Sequence, residues 1–369
     1  MNITKKNGRI ELLRFLFALI ILLFHIQKRF AKSPVPMGDT GLYFFNHGCI
    51  GVEFFFLVSG YLLAAGCYKL RDEPCDFIGT ETAGIMWKKI KHIFPYHIYA
   101  MIFTVAINAY FLCHTANKRL MYVINSWASV LFLQVFGFQS TWVNKLTWYI
   151  DVWLMVTFIF YIFARKHYDV FVKIVCPALA LFILGYLDHE YGALSGIDVW
   201  TGHFYKAFLR GLAEMALGCS AYSLTRRINH EKFNTSGKAV CAIIEAAGYI
   251  IIIIYSCTKY AGRYEFPILF LMWGVMTLTF SDVNPLHKVF DKPIFPYLGK
   301  LSLLIYLNQF YVIRLVQELF SEGTFVQKTL LASIGTIIAS LVCDFIINLY
   351  QKYRPIHTLM YGKNGDGAI

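Results

Sequence analysis

Apolar residues fall in long blocks along this chain, separated by short polar and basic stretches. Ten blocks read as apolar helices: 10–29, 48–68, 92–112, 147–164, 170–187, 204–224, 238–256, 266–281, 297–318 and 328–350. About 20 apolar residues in a helix cross the hydrocarbon core of a bilayer. An eleventh block, MYVINSWASVLFLQVFGF at 121–138, is ambiguous, and the loop charges decide it. If it does not cross, about 21 Lys and Arg lie on the N-terminal side of the membrane and about 10 on the other. If it does, the split becomes roughly 13 against 18. The positive-inside rule selects the first arrangement. The expected fold is therefore all-α: a polytopic membrane bundle of about ten transmembrane helices, with both termini cytoplasmic, in the cell membrane. Block 121–138 is expected as a re-entrant or interfacial helix on the outer side, where its Asn, Ser and Gln residues line something wet. Residues 1–354 are expected to form one membrane domain, and 355–369 a short cytoplasmic tail.

Composition narrows the function classes. Of the 369 residues, 57% are hydrophobic and 15% charged, with a mean hydropathy of +0.53. Soluble domains run nearer a quarter charged. The net charge of +12 sits in the loops between spans, which is a topology signal, so no nucleic-acid partner is expected. The nine cysteines show no CxxC or metal-ligand spacing, so neither a disulfide framework nor a metal site is expected. The first block lacks a small-residue cleavage site and reads as a retained span. With no large soluble domain and no internal repeat, the chemistry belongs in the bundle or at its mouths.

Polar residues inside the apolar blocks are the candidates, because a charge in a span is costly unless paired or hydrated. Arg14 and His25 lie in the first block with ten residues between them. Eleven steps of ~100° return to within ~20° of the start, so the two share one helix face about 16 Å apart. Either they are functional, or Arg14 snorkels to the headgroups while His25 satisfies a neighbour. Glu53, in GVEFFFLVSGYLLA, has no intrahelical partner, and Asp151 follows Trp148 and Tyr149. Either carboxylate suits a histidine on a neighbouring helix, fixing its tautomer and raising its basicity. Glu11 and Arg14 have i,i+3 spacing, and Arg210 and Glu214 i,i+4 spacing, which fits intrahelical bridges. The run MWKKIKHIFPYH sets Lys88, Lys89, Lys91 and His92 just ahead of the third block. It is either a positive-inside flank or a phosphate site, since lysines at a helix N-terminus suit polyphosphate through charge and dipole.

Several of these residues form larger patterns. Glu11, Arg14 and His25 supply an Arg, ten residues and a His, with an acid three residues ahead. Gly51-Val52-Glu53, Phe55, Phe56, Ser59, Gly60 and Tyr61 supply G-V-D/E-x-F-F-x-x-S-G-[FY]. Lys89-x-x-His92 stands where R-x-x-R precedes a proline, and Thr147-Trp148-Tyr149-Ile150 opens a later span. Arg210-Gly211-x-x-Glu214-x-x-x-Gly218 follows, then Leu298-Gly299-Lys300-x-Ser302 and Tyr306-Leu307, with Gln309 in place of the histidine of Y-L-x-H. In these patterns nearly the whole chain resembles the acyltransferase-3 family, integral-membrane enzymes that acylate surface glycans. The resemblance implies transfer of an acyl group, acetyl by default, from cytoplasmic acyl-CoA to a hydroxyl of a cell-surface or exported carbohydrate. Acetyl-CoA would be the co-substrate, and the partners would be acyl-CoA, the carbohydrate acceptor and membrane lipid. On this reading Arg14, Lys88, Lys89, Lys91 and His92 hold the CoA phosphates. His25 acts as general base or transient acyl carrier, oriented by Glu53 or Asp151. Ser59, Trp148, Arg210, Glu214, Tyr306 and Gln309 support the substrates.

Two other readings compete. Charges inside a bundle also make transport pathways, which fits a transporter of polysaccharide or lipid-linked sugar, although the chain shows no inverted repeat. A catalytically degenerate partner that kept the acyltransferase fold would explain the softened basic motif and Gln309.

Overall fold

The computed structural model of the chain describes residues 7–138, 140–228, 233–259, 262 and 264–361. Among these residues the architecture is helical, with two isolated bridge pairs and no strands. Each of the ten predicted blocks is helical. In chain order the helices are α1 (Gly8–Phe30), α2 (Gly51–Lys69), α3 (Ile78–Leu112), α4 (Ala116–Ile124), α5 (Trp127–Val130) and α6 (Trp148–Lys166). They continue as α7 (Tyr168–Val170), α8 (Cys176–Tyr191), α9 (Lys206–Thr225), α10 (Thr235–Ser256), α11 (Glu265–Phe280), α12 (Ile294–Leu319) and α13 (Phe325–Tyr361). The π-helical turn Phe171–Val175 joins α7 to α8 as one 24-residue span. Residues 355–361 of the expected tail continue α13, and 362–369 lie outside the described residues.

Seven helical segments among the described residues are long and apolar enough to cross a bilayer. Helices α9 and α12 have 20 and 26 residues but carry more polar side chains. They run inside the bundle, where neighbouring helices meet those polar groups instead of lipid. Helix α11 is shorter, at 16 residues. Helix α3 begins at Ile78, well ahead of the predicted start at 92. Ile85, Lys88, Lys89, His92 and Ile93 share one face of it, so the basic run continues the helix down from the apolar part. Its 35 residues measure about 52 Å, longer than the ~30 Å apolar layer.

Two helix pairs form the spine, α1 beside α12 and α2 beside α9. The second pair is a backbone contact. A Cβ added at Gly60 would lie 2.0 Å from the Met215 carbonyl oxygen, and one at Gly218 2.1 Å from that of Leu57. Only glycine permits this approach from both sides. Two apolar clusters result, one around α2, α6 and α8–α11, the other around α1, α3, α12 and α13. Phe55, Tyr149 and Trp153 pack against both and mark the seam between them.

The ambiguous block 121–138 does not cross. It holds the last turn of α4, the short helix α5 and a 3-10 turn at Gln134–Phe136. Irregular backbone at membrane depth persists only where protein satisfies its polar groups. Here the Gln134 amide donates to Asp151 at 3.1 Å, and His97 Nε2 meets the Ser129 carbonyl at 3.1 Å. Asn144 donates to the Leu307 carbonyl at 3.2 Å, and the Tyr306 hydroxyl donates to the Leu146 carbonyl.

The α2–α9 contact predicts opposite outcomes for two glycines. Gly60→Ala should destabilise the detergent-solubilised protein by about 1–3 kcal/mol through overpacking. Gly185→Ala, on α8 where a Cβ meets nothing within 4 Å, should leave the melting temperature unchanged or raise it. Equal melting temperatures for Gly60→Ala and wild type would contradict the close approach.

Candidate active site

The seam holds a cavity of about 730 Å³, within the range of small-molecule sites. Helix α2 lines it with every third or fourth residue from Val52 to Leu70, a stripe about 27 Å long. Tyr149, Trp153, Thr157 and Tyr161 face it from α6 at i,i+4 spacing, and Ser302, Leu303 and Tyr306 from α12. Helix α3 contributes Ile85, Lys88, Lys89, His92 and Ile93, and α1 contributes Arg14. The basic run and the first-span arginine therefore meet in one otherwise apolar cavity. Lys91 does not line it. At ~100° per residue it lies to the side of the stripe carrying Lys88 and His92.

Arg14 is aimed by its own helix. Its Nη1 donates to Glu11 Oε2 at 3.1 Å. A Cβ added at Gly299 would lie 1.5 Å from that carboxylate oxygen. The glycine of Leu298-Gly299-Lys300 thus makes room for the group that holds Arg14. Lys89 Nζ lies 4.7 Å from the Trp153 ring centroid, a cation–π contact on the opposite wall. At the mouth, Glu81 ties the α2–α3 loop to α6, accepting from Cys75 Sγ at 3.0 Å, Arg165 Nε at 2.9 Å and the Tyr161 hydroxyl. The bond to Glu81 also pushes the Cys75 thiol above its ordinary pKa.

The middle of the cavity is aromatic. Ser59 Oγ and Tyr149 Oη are 3.1 Å apart, and the Tyr149 and Tyr306 rings 5.9 Å. His25 lies beyond the Val52 end. Gly51, beside cavity-lining Val52, sits against Phe17 and Ile21 of α1. The cavity therefore reaches the level of Ile21, one helical turn (about 6 Å) short of His25. His25 Nδ1 is 2.8 Å from the Ile21 carbonyl oxygen. A carbonyl oxygen only accepts, so Nδ1 carries a proton, and in the neutral form of the ring the lone pair is on Nε2.

Neither carboxylate expected to orient His25 is bonded to its Nδ1. Glu53 Oε1 takes Arg210 Nη2 at 2.5 Å, and Arg210 Nε donates to Glu214 at 2.9 Å. The glycine contacts press α9 onto α2, and a fully buried guanidinium there requires carboxylate partners. Asp151 is spent on the Gln134 amide. The Trp148 ring centroid lies 5.4 Å from the Arg210 guanidinium carbon. This cluster backs the cavity without lining it. Gln309 is also buried away from the cavity, donating to the Tyr306 carbonyl at 3.2 Å.

Of the expected site residues, the cavity thus gathers Arg14, Lys88, Lys89, His92, Ser59 and Tyr306. It leaves out His25, Glu53, Asp151, Lys91, Trp148, Arg210, Glu214 and Gln309. Trp153 and Cys67 are lining residues that the sequence reading did not single out, and Tyr149 entered it only within the motif that opens α6. The signal for the α6 pair is their i,i+4 repeat on a span that also carries Thr157 and Tyr161. Among the described residues no cluster of His, Cys, Asp and Glu suits a metal ion.

Arg210→Met would strand Glu53 and Glu214 without their cation. A loss of about 3–5 kcal/mol is expected, read as collapse of the monodisperse peak on size exclusion. Wild-type elution and melting would show that the cluster does not hold the bundle.

No curated protein and no solved structure matches the chain. The family model of the acyltransferase domain matches residues 7–348, nearly its whole length. The seven bilayer-length helices and this match make the protein a membrane acyltransferase, and the chain belongs to the acyltransferase-3 family.

Proposed function

We propose that the protein transfers an acyl group from acyl-CoA to a hydroxyl of a cell-surface or exported carbohydrate. The supporting observation is the meeting of Arg14, Lys88, Lys89 and His92 in a long apolar cavity. Coenzyme A is a phosphate-rich head on a slender arm. The cationic groups take the phosphates through charge-assisted bonds. The arm follows the α2 stripe past Ser59 and Tyr149 toward Val52, which brings the thioester to the end below His25. The basic end faces the cytoplasm, where the positive-inside rule puts it. Lys91 stays outside the donor site.

In this mechanism the acceptor hydroxyl comes from the His25 side and spans the remaining helical turn. His25 Nε2 takes the hydroxyl proton while the oxygen attacks the thioester carbonyl. The C–S bond breaks, the ester forms, and the departing CoA thiolate recovers the proton from His25. The Ile21 carbonyl fixes the imidazole tautomer, the role a carboxylate fills in a hydrolase triad. Arg210 and its two carboxylates act as scaffold.

The test is transfer of radiolabel from acetyl-CoA into envelope glycan by membranes carrying wild type or His25→Ala. Alkali-labile label is expected with wild type and none with His25→Ala at equal membrane level. Label that persists in His25→Ala would refute the role of His25, and no label from any acyl-CoA would refute the activity.

The cavity makes a separate prediction for the donor. The Lys88→Ala, Lys89→Ala double variant should raise KM for acyl-CoA by roughly tenfold or more, as expected for lost charge-assisted contacts. Its kcat should change much less. An unchanged KM would remove these lysines from the donor site.

A further inference from the structure

Helices α1 and α12 start together and run the same way. Gly8, at the start of α1, lies against the Phe290 carbonyl just ahead of α12, and Glu11 lies against Gly299. Arg29 follows Glu11 by five full turns, so it returns to the face that meets α12. An equal advance from Gly299 ends at Gln317, with Arg314 one turn before it and Glu318 beside it. Arg29 accordingly feels the charges of both Arg314 and Glu318. Tyr122 of α4 is close enough to feel Arg314 as well.

These groups do not satisfy one another. Arg314 pairs with Glu318 through Nη2 at 2.9 Å. Arg29 is exposed, and its side chain makes no hydrogen bond or ion pair among the described residues. Two guanidiniums held within reach of each other repel unless an anion lies between them. Arg314 Nε and Gln317 Oε1 are buried with no hydrogen-bond partner among the described residues. A buried donor and a buried acceptor left open side by side mark a place for a group that the chain does not supply. The cluster lies at the end of the bundle opposite Lys88 and Lys89. Along α1, Arg29 is one helical turn (about 6 Å) beyond His25.

We propose that Arg29 and Arg314 hold an anionic group of the acceptor, so that the sugar acylated at His25 carries a phosphate or a carboxylate on itself or on its immediate neighbour. The inference rests on the acyl-transfer reading above and deepens it by giving the acceptor a charge. Guanidinium groups take either anion through paired charge-assisted bonds. Glu318 stays with Arg314 and leaves one positive charge for the ligand. A hydroxyl of the same sugar supplies the donor that Gln317 lacks. The turn between Arg29 and His25 is about the breadth of one sugar ring, so the clamp sets which hydroxyl meets Nε2.

For the test, membranes carrying wild type, Arg29→Gln or Arg29→Lys at equal level receive radiolabelled acetyl-CoA. The labelled glycan is cut to fragments of one or two sugars with its esters intact and passed over an anion-exchange column at neutral pH. Label is expected in the retained, anionic fragments. Arg29→Gln should slow labelling roughly tenfold, as for a lost charge-assisted contact, with the KM for acetyl-CoA unchanged. Arg29→Lys should recover most of the rate. Label in neutral fragments, or a wild-type rate in Arg29→Gln, would overturn the clamp while leaving acyl transfer intact. So would a phosphatidylglycerol that co-purifies with wild type and is lost from Arg29→Gln, since a lipid headgroup would then occupy the arginines. No label in any fraction would overturn both readings.

Discussion

The Arg210 guanidinium, clasped by Glu53 and Glu214, governs how the rest of the bundle is arranged. A charge that deep is tolerable only with its partners in contact, so α9 and α2 must meet in one register. Gly60 and Gly218 then let their backbones touch. With the Glu53–Leu57–Gly60 face of α2 consumed, the opposite stripe from Val52 to Leu70 is left to line the cavity. The fold obtains its central cavity as the unused side of its tightest contact.

The same rule recurs at smaller scale. Arg9 pairs with Glu245 at 2.9 Å and donates to the Thr279 carbonyl at 2.7 Å, joining α1 to α10 and α11. Lys300 pairs with Asp344 at 2.5 Å, joining α12 to α13. Charges matched this closely act as fixed fasteners. Such fastening suits an enzyme that holds a cavity still better than a carrier whose charges must change partners. The lysines and the arginine lining the cavity differ in kind: Lys88 is exposed, and Arg14 is held by one acid on its own helix.

Much of this was legible in the sequence because it depends on local periodicity. Block length gave the helices, and loop charge kept 121–138 from crossing. The i,i+3 and i,i+4 spacings identified the Glu11–Arg14 and Arg210–Glu214 bridges correctly. What escaped depends on how helices rotate against each other. Glu53 looked like a partner for histidine because nothing in its own helix answers it, and its true partner lies on α9. Lys91 belonged to the basic run by composition but falls on another face of α3. His25 needed no distant carboxylate, since the carbonyl four residues back already fixes its ring. The start of α3 was hidden because its first turns are polar, although their helical stripe was present to be read.

The hung segment between α3 and α6 has a consequence for biogenesis. Its polar groups are answered by His97 on α3, by Asp151 on α6, and by Leu307 and Tyr306 on α12. Helix α12 leaves the ribosome long after the segment does. During synthesis the segment must therefore wait in a hydrated setting, with Asn144 and the Leu146 carbonyl still lacking their partners. The late helices act as the latch that closes it. A nascent chain halted before α12 would carry every residue of the first span and of the basic run, yet could not complete the bonds of this segment.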